Sequence, residues 1–185
     1  MMRLTGGFSL LEVMIAAVVL SFGLLGLVAM QSTARFAGYE ARQRTVASWL
    51  ANDMIERARS NRAVWINQAA NVWTVADSPT LTRPSCSNED GTYAACSDTD
   101  LLSTDLVNWQ QAVTGAAVSG AAATLQDPLG CVIRGANNRL TVAIFWSGRQ
   151  PQYDAAGAVD TAVLTPCGVS GADLTRRQYV LVTTL

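Results

Sequence analysis

Three acids lie close together in the chain, Asp98, Asp100 and Asp105, and neighbouring carboxylates can do general acid–base chemistry. The chain has no His. That removes the commonest general base and the commonest metal ligand. A Ser-His-Asp triad, a Cys-His pair and a His-containing zinc site are excluded with it. The acids also fit a plainer role, capping a helix and solvating a loop, and this reading is preferred. No enzyme activity is expected. Four cysteines remain, Cys86, Cys96, Cys131 and Cys167. They contain no C-x2-C pair, and gaps of 9, 34 and 35 residues do not resemble a zinc ribbon. No metal and no cofactor is expected. An even count suggests two disulfides formed in an oxidising compartment. Four cysteines allow three connectivities. The sequence-local one, Cys86–Cys96 with Cys131–Cys167, is preferred.

The other chemically marked residue is Glu12. From Phe8 to Met30 there are 23 residues, and Glu12 is the only charged one. As a helix that run is roughly 34 Å long, enough to cross a hydrocarbon core of about 30 Å. An acid inside such a run is expensive and is a functional candidate by default. A leader with one cation, Arg3, precedes it and ends in Gly6-Gly7. A secretory signal would have a shorter apolar core and a cleavage site after it. As an ordinary signal or uncleaved anchor, the segment would have no use for Glu12.

The helix continues beyond the run. From Gln31 to Asn61 there is no Pro, and Ala, Arg, Gln and Glu are frequent. Ala47, Leu50, Ala51, Met54, Ile55 and Ala58 follow i, i+3, i+4, i+7 spacing, so this half is amphipathic. One helix is expected from about Phe8 to about Arg62. A globular domain should clasp only its second half. Gly23, Gly26 and Gly38 each cost about 1 kcal/mol relative to Ala. Gly23 and Gly26 are candidates for local unwinding or for close packing on a neighbouring helix.

Residues 61–126 are harder to read. Trp65, Ile66, Val72, Trp73 and Val75 are scattered apolar anchors, and 77–91 reads as a loop. Asp98 or Thr99 is placed to cap a helix with Leu102, Leu106, Trp109 and Val113 on one face. Residues 114–124 read as an irregular connection. The last part is β-like. Residues 131–134 form one strand and 139–147 another, with Asn137-Asn138 as the turn. In the second strand Leu140, Val142, Ile144 and Trp146 share a face. Residues 148–171 read as a long loop, and 178–183 as a final strand. An antiparallel sheet of three or more strands would bury the helix stripe. Net charge is −1, and all thirteen cations are Arg. No basic patch points to nucleic acid.

The stretch Gly7-Phe8-Ser9-Leu10-Leu11-Glu12, followed by about twenty apolar residues, resembles the type IV pilin signature. Leu20-Ser21-Phe22-Gly23-Leu24-Leu25-Gly26-Leu27 resembles the PilV-type minor pilins, also called type IV pilus modification proteins. The close resemblance covers roughly residues 1–60. It implies an α+β type IV pilin fold in which the second half of a long helix packs on a C-terminal antiparallel sheet. The implied segments are a leader at 1–7, a membrane or filament-core helix at 8–30, its amphipathic continuation at 31–62 and a periplasmic domain at 63–185. A prepilin peptidase/methyltransferase would cut between Gly7 and Phe8 and methylate the Phe8 nitrogen. The chain would wait in the bacterial inner membrane as a single-pass protein, then enter an extracellular pilus. Glu12 would pair with the amino-terminal nitrogen of an adjacent subunit. The implied partners are major and minor pilins, inner-membrane lipid, the inner-membrane pilus assembly machinery and a tip adhesin. The implied processes are assembly initiation or tip formation, twitching motility and adhesion. Major pilins usually carry a Pro in the apolar run, whereas the first Pro here is Pro79. That favours a minor subunit over shaft material. A pseudopilin of type II secretion is the alternative, and a membrane-anchored periplasmic enzyme a more distant one.

Overall fold

The computed structural model describes residues 9–69, 71–76, 80–86, 96–116, 125–149, 161–169 and 173–185. The chain divides into two compact units, one ending at Ala41 and one running from Arg42 to Leu185. A single helix, α1 (Leu10–Ser60), contributes to both.

In the first unit every described side chain from Ser9 to Gly38 is exposed. Two hydroxyls of this stretch are turned back on the helix. Ser21 Oγ donates to the Ala17 carbonyl at 2.7 Å, and Thr33 Oγ1 to the Ala29 carbonyl at 3.2 Å. Both are satisfied without water, as an apolar environment requires. The helix runs unbroken through Gly23, Gly26 and Gly38, and a Cβ at any of them would meet nothing within 4 Å.

The second unit holds the rest of α1, then α2 (Arg62–Asn67), β1 (Asn71–Val75), α3 (Asp98–Thr114), β2 (Leu129–Arg134), β3 (Arg139–Ser147), α4 (Thr161–Leu164) and β4 (Arg176–Thr184). The four strands form one sheet in the order β1-β2-β3-β4, and every neighbouring pair is antiparallel. Asn137 and Asn138 turn the β2–β3 hairpin with φ of 54° and 58°, the left-handed backbone that Asn tolerates. The architecture is α+β, a long N-terminal helix followed by an antiparallel sheet.

The main core lies between the helices and one sheet face. Ala47, Ala51, Met54, Ile55 and Ala58 of α1 meet Leu140, Val142, Ile144 and Trp146 of β3, the two faces marked by sequence periodicity. Leu102, Leu106, Trp109 and Val113 of α3 join the same cluster. Trp109 ties the layers together. Its Nε1 donates to the Leu50 carbonyl at 2.9 Å, and its ring lies on the backbone of Gly130. Buried Arg134 anchors the end of α2. Its guanidinium donates to the carbonyls of Trp65 (3.2 Å) and Ile66 (3.1 Å), to Asn138 Oδ1 (2.9 Å) and to the Gly135 carbonyl.

Several local expectations need correction. Val72, Trp73 and Val75 are not scattered anchors but belong to β1, a fourth strand at the sheet edge. The cap of α3 is Ser97, one residue before the expected Asp98 or Thr99. Ser97 Oγ accepts from the Asp100 amide at 3.3 Å, and Asp100 Oδ2 accepts from the Ser97 amide at 3.3 Å, a reciprocal capping box. The expected loop 148–171 contains α4. Of the expected loop 77–91, residues 77–79 and 87–91 lie outside the described residues, as do 117–124 of the expected connection 114–124.

The second sheet face is also covered. Cys131, Ala143 and Phe145 pack with Val163, Leu164 and Cys167 in a smaller apolar cluster. The Cys131–Cys167 disulfide fastens that segment to β2, and Cys86–Cys96 joins the residues just before α3 to an upstream loop.

Candidate functional site

The site begins where α1 begins. Ser9 is the last residue before the helix, and its carbonyl accepts from the amides of Glu12 (3.1 Å) and Val13 (3.3 Å). Ser9 Oγ also accepts from the Glu12 amide at 3.3 Å. An N-terminal helix amide that would otherwise lack a partner is thereby satisfied. The acid of the first turn is Glu12, where the helix dipole favours negative charge. Ser9-Leu10-Leu11-Glu12 therefore has the spacing of a capping box. Sequence reasoning concentrated on the cost of Glu12 and missed this local signal. Glu12 is exposed and forms no ion pair among the described residues. Gly7 and Phe8 lie outside the described residues.

Behind Glu12 comes the apolar surface. Leu10, Leu11, Phe22, Leu25 and Met30 are among the exposed large side chains. In water such a surface would be covered by another apolar phase or protein. By length and composition α1 contains a candidate membrane span near the N-terminus. Leu10 to Met30 is about 32 Å at 1.5 Å per residue.

The three aspartates are not assembled into a reaction centre. Asp98 is exposed in the first turn of α3, and Asp100 closes the capping box. Asp105 is buried, and its Oδ2 accepts from Asn61 Nδ2 at 2.8 Å and from Trp65 Nε1 at 3.0 Å. It joins α3 to the α1–α2 junction. Burial raises its pKa, against the lowering effects of those two hydrogen bonds and of Arg57. Asp105 lines a small pocket with Asn61, Leu101 and Thr104, and no second carboxylate lines it among the described residues. Asp173 sits in a turn, where the hydroxyl and amide of Thr175 hold its pKa down. Among the described residues no group of three or more His, Cys, Asp or Glu side chains is placed to hold a metal.

These features describe a helix with an exposed, membrane-length apolar run leading into an α+β domain. The family model of the prokaryotic N-terminal methylation motif matches residues 2–28, and that of type IV pilin Tt1218 matches residues 29–107. The first covers Gly7, Phe8, Glu12 and nearly all of the apolar run. The second covers the rest of α1 through α2 and β1 into α3. No curated protein and no solved structure matches the chain. Both matches, with this fold, support a type IV pilin. That family is structural, and a pilin bearing the methylation motif has other pilins and a prepilin peptidase as partners. Strands β2, β3 and β4 lie beyond both matches.

Proposed function

We propose that the chain is a minor pilin of a type IV pilus, processed between Gly7 and Phe8 and methylated on the new Phe8 nitrogen. It resides in the inner membrane with its α+β domain in the periplasm, then enters the filament and supports assembly initiation or tip formation. Twitching motility and adhesion depend on it through the pilus. The observation that carries this reading is the exposed, membrane-length apolar face of α1 with its single acid in the first turn. A carboxylate in an apolar phase is tolerated only when paired. A methylammonium at Phe8 of a neighbouring subunit is a suitable partner. Gly23 and Gly26 supply the helix with local flexibility in place of the absent proline.

The test is the mature N-terminus. Mass spectrometry of the membrane-extracted protein should find N-methyl-Phe8 as the first residue. A start beyond Met30 would overturn the reading. Glu12→Leu should leave membrane insertion intact and reduce incorporation into filaments at least tenfold; normal incorporation would remove the pairing argument. Deletion of the gene should abolish or impair twitching. Lost protein secretion with normal pili would assign the chain to type II secretion instead.

A further inference from the structure

The outer face of the sheet is only partly covered. The Cys131–Cys167 disulfide holds Val163, Leu164 and Cys167 over the level of Cys131, Ala143 and Phe145. Two residues nearer the β2–β3 turn, Ile133 of β2, Thr141 of β3 and Val182 of β4 stand opposite one another in one row. Strand alternation puts this row on the same face as that cluster. The next row is Arg139 opposite Thr184. These five, with Val163 of α4 as a side wall, line a cavity of about 480 Å³, within the size range of small-ligand sites. Val182 is 46% exposed there. The lining residues all lie beyond residue 107, outside both family matches.

Two polar side chains in this cavity have no partner. Thr141 is only 8% exposed, yet its hydroxyl makes no hydrogen bond among the described residues. A polar group so deeply placed normally has one. Arg139 is exposed, and its guanidinium forms no ion pair and no hydrogen bond among the described residues. Arg134, on the other side of the same turn, is the contrast, since its guanidinium donates to four groups of the fold. Arg139 is also the only charged side chain lining the cavity among the described residues. A guanidinium with no acid beside it favours an anion, and a carboxylate matches its planar fork. One cation matches one negative charge. Ile133, Val163 and Val182 supply aliphatic walls, and no aromatic ring lines the cavity among the described residues to stack on a sugar or a base. We propose that the cavity binds a short-chain aliphatic carboxylate. Its carboxylate sits on the Arg139 guanidinium and accepts from the Thr141 hydroxyl. These two residues are about 7 Å apart along β3, a span that the long Arg side chain covers. The aliphatic chain of the ligand lies against Ile133, Val163 and Val182. The α+β domain thus carries a receptor site for small organic acids on its outer sheet face.

Isoleucine methyl NMR of the full-length protein in detergent tests the site. Ile133 lines the cavity, Ile55 and Ile144 lie in the main core, and Ile15 is exposed in the apolar run. Titration with pentanoate should shift the Ile133 methyl resonance saturably and leave Ile55 and Ile144 in place, while Ile15 reports partition into the micelle. Pentanol, which lacks the charge, and inorganic phosphate, which lacks the aliphatic chain, should each bind at least about tenfold more weakly. Arg139→Gln should weaken pentanoate binding at least about tenfold, since it removes a charge-assisted hydrogen bond. Thr141→Val should weaken binding about threefold to tenfold without lowering Tm, because no group of the fold uses that hydroxyl. A lowered Tm would make the hydroxyl part of the fold and remove it from the site. The proposal is overturned by the absence of a saturable shift at Ile133, or by a shift there that merely tracks Ile15. Equal binding of pentanol or phosphate, or undiminished binding by Arg139→Gln, would overturn it as well.

Discussion

Gly130 is where α3 and the sheet come closest, and a single methyl group there tests the packing of the whole α+β domain. A Cβ built on Gly130 would sit 2.6 Å from Trp109 Cη2, 2.8 Å from Trp109 Cζ3 and 2.8 Å from Val75 Cγ2. None of these neighbours is free to retreat. Trp109 is fully buried and tethered through Nε1 to the Leu50 carbonyl, and Val75 lies in the strand paired with Gly130. Gly130→Ala therefore forces either the indole or the β1 edge to move. Overpacking of a tight core costs about 1–3 kcal/mol. In a domain of this size each kcal/mol lowers Tm by about 2–4 °C. The expected loss is several degrees, read by near-UV circular dichroism of the full-length protein in detergent. The cause can be isolated with a second change. Trp109→Leu alone opens space and should itself cost about 3 kcal/mol or more, given the size of the cavity left. Combined with Gly130→Ala it should cost clearly less than the sum, because the new methyl enters the vacated space. An unchanged Tm for Gly130→Ala would refute the close approach. Strict additivity in the double variant would refute the assignment of the strain to Trp109.

Asp105→Asn should stabilise the protein at neutral pH, because the Asn oxygen still accepts from Asn61 and Trp65 while the buried charge is removed. Since burial raises the folded-state pKa of Asp105, its ionisation penalty is absent below the unfolded value near 3.9 and grows until pH passes the raised value, by about 1.4 kcal/mol per unit of difference. Urea titrations on either side of that window should show the variant gaining on the native protein as pH rises, and a loss at neutral pH would contradict the desolvation argument. Asp105→Ala should instead destabilise by about 1–3 kcal/mol, since it leaves the buried Trp65 Nε1 and the half-buried Asn61 amide without their acceptor. Cys167→Ser should cost about 4 kcal/mol through its longer loop, and Cys86→Ser about 3 kcal/mol. Cys167→Ser should also loosen the packing around Phe145, so equal Tm losses for the two would argue against a stapled second core.

The legible parts of the fold were those with a long period. The 3.6-residue stripe from Ala47 to Ala58 and the alternation through β3 each extend over enough residues to define a buried face, and both faces lie in one core. Short or cooperative features were not legible. β1 has only five residues, and its partly buried positions do not alternate cleanly. The outer sheet cluster depends on residues 161–169, whose stretch is rich in Pro, Gly and Ala and reads as loop until the disulfide to Cys131 brings it onto the sheet. The Ser97 cap carried a signal, Ser followed three residues later by an acid, but Asp98 and Thr99 offered competing caps.

At Glu12 magnitudes decide between two explanations that the residue pattern alone leaves level. The capping interaction with Ser9 and the helix dipole give an acid in the first turn a reason to exist, but that dipole term contributes only about 0.3–1 kcal/mol for an exposed group. Moved into lipid or a packed helical bundle with no partner, the same carboxylate costs several kcal/mol. The local cap therefore accounts for the start of the helix and cannot account for an ionised Glu12 in an apolar phase. In the proposed function the deficit is offset by the Phe8 methylammonium of a neighbouring subunit, since no ion pair to Glu12 is formed among the described residues. A Glu12→Gln variant separates the two contributions. It preserves the capping-box residue type and removes the charge, so the helix start should persist while incorporation falls as it does for Glu12→Leu. If Glu12→Gln assembled normally, capping would be the whole role of this residue.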